Sequence, residues 1–112
     1  MTEPRDPSKP SGAERRTSRR AIYPCEARCF ALGIDLPRTH LLDLSLGGAF
    51  IETEIEMPER TVLLLRFQLS GHDMKIEGEV VRLSPGRGLA IHFLDIRPEQ
   101  QALIERFLTE AD

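Results

Sequence analysis

Four arginines stand within six residues near the start of the chain, in the sequence E-R-R-T-S-R-R at 14–20. The spacing R-x-x-x-R fits two pairs of them, Arg16 with Arg20 or Arg15 with Arg19. A guanidinium group is permanently charged, forks onto phosphate oxygens and stacks on aromatic bases. The cluster therefore suits a ligand that carries both phosphates and a base. Taken by itself, such a basic segment is also typical of a solubilising or targeting tail.

A second group of candidate residues lies in the sequence D-L-S-L-G-G-A-F-I at 43–51. Asp43 and Ser45 offer a carboxylate and a hydroxyl, and Gly47 and Gly48 follow closely. Glycine adopts positive φ without steric cost, so the glycine pair predicts a tight turn at the end of a strand. On their own, the polar residues are typical of an Asx or Ser turn that caps the strand.

The remaining polar residues do not have the composition of a catalytic centre. The three histidines are isolated from one another and from any nucleophile that they could activate: His40, His72 and His92. The glutamates recur at every second position, as on the solvated face of a sheet: Glu52, Glu54, Glu56, Glu77 and Glu79. We therefore predict that the chain is not an enzyme.

The two cysteines, Cys25 and Cys29, are interpreted as small buried hydrophobic residues. Four positions along a predicted strand separate their Cα atoms by roughly 13 Å, which is too far for a disulfide. No cluster of histidine and cysteine in the sequence completes a metal site. We expect neither a metal nor a cofactor.

Charge is distributed unevenly along the 112 residues, whose net charge is −3. The first twenty residues contain six basic and three acidic side chains, so they carry +3 and the other 92 residues carry −6. A protein that binds duplex nucleic acid needs a basic surface on its folded body, and this body is acidic. Single-strand binders use aromatic platforms, whereas aromatic residues are 5% here and tryptophan is absent. A small anion fits the charge pattern better than a nucleic acid.

Hydrophobic alternation predicts the elements that must position these residues. Six short segments have the period of strands and are separated by turn residues: Ile22–Phe30, Thr39–Leu44, Ala49–Thr53, Leu63–Leu69, Met74–Val80 and Leu89–Phe93. After Pro98 the apolar residues change to the spacing of one helical face: Leu103, Ile104, Phe107, Leu108 and Ala111. The predicted fold is mostly β, a six-stranded antiparallel β-barrel with a C-terminal α-helix packed against it.

The two motifs, in this order and spacing, resemble the PilZ family of cyclic di-GMP receptors. That family has R-x-x-x-R in a flexible arm before the barrel and D/N-x-S-x-x-G at the end of a strand. Arg16 and Arg20 match the first motif, and Asp43, Ser45 and Gly48 match the second. The resemblance extends over nearly everything after residue 14, because G-E-V-V-R at 78–82 and G-L-A-I-H-F at 88–93 look like later strands of that fold.

The resemblance implies a ligand, a set of binding residues and a mode of action. In the family the arm folds over the ligand, cyclic di-GMP, and holds it against the outside of the barrel. The change in the arm passes the signal to a partner protein. The implied ligand-binding residues are Arg15, Arg16, Arg20, Asp43, Ser45, Gly47 and Gly48. In this register Arg15 is the residue directly before the motif. In the family, an arginine at that position accompanies the binding of two stacked ligand molecules. The alternative register uses Arg15 and Arg19.

We divide the chain into a flexible tail at 1–14 and a single domain at 15–112. The domain consists of an arginine arm at 15–21, a barrel at 22–94 and a helix at 97–111. The first residues lack the apolar stretch of a signal peptide, and no segment has the length of a membrane helix, so we expect a cytoplasmic protein that does not insert into membranes. Two alternatives to a cyclic di-GMP receptor are a PilZ-fold module that binds only protein and a small-barrel nucleic-acid binder.

Overall fold

The chain folds into a closed antiparallel barrel with one helix, as seen in a computed structural model that describes residues 20–36 and 38–111. The elements are β1 (Arg20–Ala31), β2 (Ile34–Leu36), β3 (His40–Ser45), β4 (Gly48–Glu52), β5 (Val62–Leu69), β6 (His72–Ser84), β7 (Gly88–Asp95) and α1 (Pro98–Glu110). Six strands close the barrel in the order β1-β3-β4-β7-β6-β5, with β5 pairing back onto β1. The predicted six-stranded barrel with a C-terminal helix is confirmed.

Alternation along the strands fills the barrel as the sequence predicts. On β5, for example, the four alternate residues Leu63, Leu65, Phe67 and Leu69 are buried, and the residues between them face outward. The core also takes in Cys29, which is fully buried, whereas Cys25 is half-buried and both thiols are free. Strand β5 thus buries one face and leaves the other for solvent.

Strand β1 is longer than predicted and changes partners along its length. Its first part pairs with β3, from Arg20 opposite Ser45 to Glu26 opposite His40. Its second part pairs with β5 on one edge and with β2 on the other. Because β1 begins at Arg20, this arginine belongs to the barrel and not to the arm predicted at 15–21.

The segment between the first two predicted strands contains the three-residue strand β2, which pairs with the end of β1. Three residues are too few to show an alternation, and the glycine and proline around them are typical of a turn. The flexibility predicted for residues 1–14 concerns a segment outside the described residues, as does the rest of the arm before Arg20.

Helix α1 begins at Pro98, as predicted, and packs against the barrel. Ile104 and Leu108 are buried in the core, and the ring of Phe107 meets that of Tyr23 edge-on with centroids 4.9 Å apart. The side chain of Gln100 accepts the N–H of Arg97 and donates to the carbonyl of Lys75 on β6 at 2.9 Å. Among the described residues no helix has the length and apolar character needed to span a bilayer.

The antiparallel registers define two ends of the barrel. The end that we call proximal contains the beginning of β1, the β3–β4 turn and the β5–β6 turn. At the opposite, distal end, β1 turns into β2, β4 ends opposite the beginning of β3, and β6 turns into β7. Along β1 itself the twelve residues span roughly 36 Å, because a strand rises about 3.3 Å per residue.

Candidate ligand-binding site

The pairing of β1 with β3 brings together the two sequence motifs at the proximal end. Arg20 pairs with Ser45 across the two strands, and Ile22 pairs with Asp43. The Nη1 of Arg20 donates to Oδ1 of Asp43 at 2.5 Å, although the two residues are 23 positions apart in sequence. Their side chains are 47% and 27% exposed, so the ion pair lies at the surface and is open to a ligand.

Asp43 is also held from the other side by the β3–β4 turn. Its Oδ1 accepts the backbone N–H of Phe50 at 3.1 Å, across a bulge in the pairing of β3 with β4. The two hydrogen bonds to one oxygen fix the carboxylate, and Oδ2 has no hydrogen-bond partner among the described residues. An ionised carboxylate accepts up to about four hydrogen bonds, so this group retains acceptor capacity for a ligand.

Ser45 uses its hydroxyl inside the turn. The Oγ accepts the N–H of Gly48 at 3.1 Å and donates to the carbonyl of the same residue at 3.1 Å. The residue is 3% exposed. This geometry closes the turn from β3 to β4 and leaves little of the hydroxyl for an external partner.

Gly48 is required for a different reason from the one that the sequence suggests. The glycines with positive φ among the described residues are Gly33, Gly71, Gly86 and Gly88, so neither Gly47 nor Gly48 uses the left-handed conformation expected of them. A Cβ on Gly48 would instead lie 2.0 Å from the carbonyl oxygen of Ile91 on β7. The N–H of Phe93, also on β7, donates to the carbonyl of Gly47 at 2.8 Å. The two glycines thus let the turn lie directly on β7.

Two apolar side chains adjoin the ion pair, and the sequence analysis did not identify them. Ile22 is 83% exposed, and Phe50 is half-buried. Both residues pair with Asp43, on its two sides, so the carboxylate lies between them on the outer surface of the barrel. An outward isoleucine in a strand of alternating polar residues was the available signal, because a solvated face ordinarily carries polar side chains at that position.

The larger cavities lie away from these residues. One of about 500 Å³ is at the distal end, between the end of β4 and the β6–β7 turn, and one of about 420 Å³ crosses the middle of β1 between β3 and β5. Neither is lined by Arg20, Asp43, Ser45 or the two glycines. The candidate site is therefore an exposed patch of the barrel wall. Arg15 and Arg16, the other predicted ligand-binding residues, lie outside the described residues.

Burial raises the pKa values of three side chains on β1, those of Tyr23, Cys25 and Cys29. Desolvation, with a smaller contribution from the charge of Asp35, raises the pKa of the Cys29 thiol to about 12. Desolvation also raises the pKa of Cys25 and that of Tyr23, whose hydroxyl donates to the carbonyl of Gln68 at 2.7 Å. In the described part of the chain no three His, Cys, Asp or Glu side chains are grouped so that they could hold a metal ion.

Comparison with known proteins decides the family to which this barrel and its motifs belong. The sequence profile of the PilZ domain matches residues 14–110, which is most of the chain. The chain belongs to the PilZ domain family. Among proteins with curated functions none matches its sequence.

Two solved structures resemble this PilZ domain. The crystal structure of the PilZ domain of CeSA from a cellulose-synthesizing bacterium is 21% identical, with a TM-score of 0.65, and the match covers 83% of this chain and 97% of that one. An uncharacterized protein from Legionella is 18% identical with a TM-score of 0.49, over 81% and 90% of the two chains. At this level of identity the first similarity shows that the fold is shared.

Proposed function

We propose that this PilZ domain is a receptor for cyclic di-GMP, which it binds at the proximal end of the barrel. Membership in the family supports the ligand, because PilZ domains are known as cyclic di-GMP receptors and binding modules. The observation that carries the proposal for this chain is the ion pair of Arg20 with Asp43, which joins the arginine motif to the D-x-S-x-x-G turn. We propose that Arg15 and Arg16 complete the site from the N-terminal arm.

Charge supports the role of the arginines. Cyclic di-GMP has two phosphodiesters and a charge of −2, and residues 21–112 carry −6. The ligand is therefore repelled by the body of the protein unless the six basic residues of the first twenty compensate. Arg20 is fixed by the strand, so it offers a preorganised guanidinium onto which the arm can add Arg16. This arrangement supports the register of Arg16 with Arg20 rather than that of Arg15 with Arg19.

The residues of the turn have separate roles in the proposed site. Asp43 accepts hydrogen bonds from the N–H groups of guanine through the oxygen that is not used by Phe50. Ile22 and Phe50 provide an apolar surface beside it for the face of the base. Ser45, Gly47 and Gly48 act through the backbone, because they set the shape of the turn on which Asp43 stands.

Ligand binding would change the arm, and the arm would pass the signal on. Folding the arm over the ligand would cost conformational entropy, and we propose that this ordering accompanies binding. The ordered arm and the ligand form a new surface at the proximal end, which an effector protein can recognise. We propose that the chain acts as an adaptor in this way, without chemical turnover of the nucleotide.

Isothermal titration of cyclic di-GMP into the full chain tests the proposal. Arg20→Ala should weaken binding about 10- to 150-fold, because a charge-assisted hydrogen bond contributes about 1.5–3 kcal/mol. Arg16→Ala should have a similar effect, whereas Arg15→Ala should mainly change the stoichiometry from two ligands to one. Arg87→Ala is the matched control, since Arg87 is an exposed arginine in the β6–β7 turn at the distal end.

The result that contradicts the proposal is an affinity within twofold of wild type for both Arg16→Ala and Arg20→Ala. If Arg15→Ala and Arg19→Ala are the damaging pair, the register is displaced by one residue. Asp43→Asn separates charge from hydrogen bonding, because the amide oxygen can still accept the N–H of Phe50. We expect it to lose guanine recognition while the turn and the thermal midpoint are retained.

A further inference from the structure

Exposed apolar side chains are concentrated at the distal end of the barrel. The described residues include seven large hydrophobic side chains that are exposed, and five of them lie at this end: Leu32, Ile34, Ile55, Val62 and Val81. Leu32 at 85% and Ile34 at 60% are among the most exposed. Single apolar residues on a surface are normal, but a group of them surrounded by polar residues is typical of a site for protein interaction.

The backbone at this end adopts conformations that are unfavourable for its residues. Four non-glycine residues of the described chain have positive φ, and three of them are distal: Leu32 at 54°, Arg38 at 55° and Arg60 at 77°. Leu32 stands in the β1–β2 turn beside Gly33, where asparagine or aspartate would fit both the conformation and the exposure better. Folding therefore gives no reason for a leucine at this position, and binding gives one, since such conformations cluster at functional sites.

The charge of the same region is acidic. Two cavities open there, one of about 500 Å³ at the end of β4 and one of about 150 Å³ beside the beginning of β5. The residues that line them include five glutamates, at positions 52, 54, 56, 59 and 79, and three arginines, at positions 38, 60 and 87. The larger cavity places Ile55 between Glu54 and Glu56, so it presents an apolar wall between two carboxylates.

We propose that this distal surface, formed by Leu32, Ile34, Ile55, Val62 and Val81 with the glutamates of the two cavities, is a docking site for a partner protein. The occupant is an amphipathic segment with leucine-like side chains and with lysine or arginine between them. Its apolar side chains cover the exposed group, and its cations enter the cavities beside the glutamates. The end of β1 beside Leu32 lies about 36 Å along the strand from Arg20, and the surface uses none of the residues of the proposed nucleotide site.

Charge also decides against a second copy of this chain as the occupant. A two-fold interface brings the same surface of each copy together, so five glutamates and three arginines, a net charge of −2, would face the same set. Like charges brought together at an interface repel, and this repulsion selects against self-association. A basic segment relieves the repulsion that a second copy would increase.

The test uses the full chain without nucleotide and two synthetic probe peptides of 14 residues. One probe alternates leucine and lysine at helical spacing, and its matched control has glutamate in place of every lysine. The expected result is that the leucine–lysine probe shifts the backbone amide resonances of Leu32, Ile55 and Val62, and leaves those of the turn at 43–48 in place. We expect the leucine–glutamate probe to bind at least about tenfold more weakly at low salt.

Two leucine variants give the test its control. Leu32→Asn should lower the affinity for the leucine–lysine probe about tenfold, which corresponds to the loss of one buried leucine side chain. Its thermal midpoint should equal or exceed that of wild type, since asparagine tolerates the left-handed conformation that Leu32 adopts. Leu94→Asn removes a leucine that is 45% exposed at the proximal end of β7 and should leave probe affinity within twofold.

Three results would overturn the inference. The first is equal affinity of the protein for the two probes. The second is an affinity of Leu32→Asn for the leucine–lysine probe that equals that of wild type. The third is a shift of the same amides with protein concentration alone, together with a doubled mass in sedimentation, since this identifies a second copy as the occupant. All three are independent of cyclic di-GMP, so a failed nucleotide titration leaves this inference standing and the reverse also holds.

Discussion

Substituting alanine for Gly48 tests how the proximal turn is held on the barrel. The added Cβ would lie 2.0 Å from the carbonyl oxygen of Ile91, and 3.1 Å from the carbonyl carbon of the same residue. Both neighbours are backbone atoms of β7, so no side chain can rotate away to make room. Strands β4 and β7 would have to separate by more than 1 Å at this point, since ordinary contacts between carbon and oxygen are near 3.3 Å.

The magnitude follows from what that separation breaks. Forcing an extra methyl group into a close-packed site costs about 1–3 kcal/mol. The hydrogen bond from Phe93 to Gly47, at 2.8 Å, and that from Gly48 to Ser45, at 3.1 Å, are the adjoining contacts, and each contributes about 1 kcal/mol. We expect Gly48→Ala to lower the free energy of unfolding by about 2–4 kcal/mol, which corresponds to a fall of about 10–25 °C in the thermal midpoint.

The matched control is Gly86→Ala in the β6–β7 turn. Gly86 has φ of +77° and no atom within 4 Å of a Cβ placed on it, so alanine there meets only the left-handed strain of about 1–2 kcal/mol. Urea unfolding followed by circular dichroism measures both variants. The reasoning is refuted if Gly48→Ala is no less stable than Gly86→Ala, because steric overlap with β7 is then absent.

Two further predictions concern β1. Cys29 has a pKa of about 12 in the folded protein against an ordinary value of 9.0, so above pH 9 the unfolded chain releases a proton that the folded one retains. The free energy of unfolding should therefore fall by up to about 1.4 kcal/mol per pH unit between pH 9 and 12. Urea unfolding midpoints measured from pH 8 to 10.5 should decline less steeply in Cys29→Ala than in wild type. Parallel declines in the two proteins would show that another group is responsible. Tyr23→Phe keeps the edge contact with Phe107 but removes the 2.7 Å hydrogen bond to Gln68, so it should cost about 1 kcal/mol in the same assay. A variant as stable as wild type would mean that water replaces that bond without loss.

The class of the fold and the extent of most strands could be predicted from local patterns. The alternation of Leu63, Leu65, Phe67 and Leu69 defines a half-buried strand wherever that strand lies, because successive side chains point to opposite faces. Pro98 likewise marks the beginning of a helix without reference to the rest of the chain. The short β2 was missed because three residues between a glycine and a proline have no detectable period.

The assignment of the glycines shows where local reasoning fails. Gly48 was expected to adopt positive φ, a property of its own backbone, but it is needed because β7 lies against it. Its neighbour on β7, Ile91, is 43 positions away in sequence, and no pattern around position 48 indicates that contact. The exposed Ile22 is a different case, because its outward position in β1 could be predicted from the sequence, whereas its pairing with Asp43 could not.

The sequence by itself determined where the six strands of the barrel and the helix lie along the chain, and which residue types could bind an anion. Only the tertiary structure decided that Arg20 belongs to β1 and bonds Asp43, that the glycine turn rests on β7, and that the acidic and apolar residues of the distal surface share one end. The period of a strand fixes the direction of its side chains but carries no information about which strand pairs with it. Which strands pair depends on the closure of the whole barrel, in which β5 pairs back onto β1.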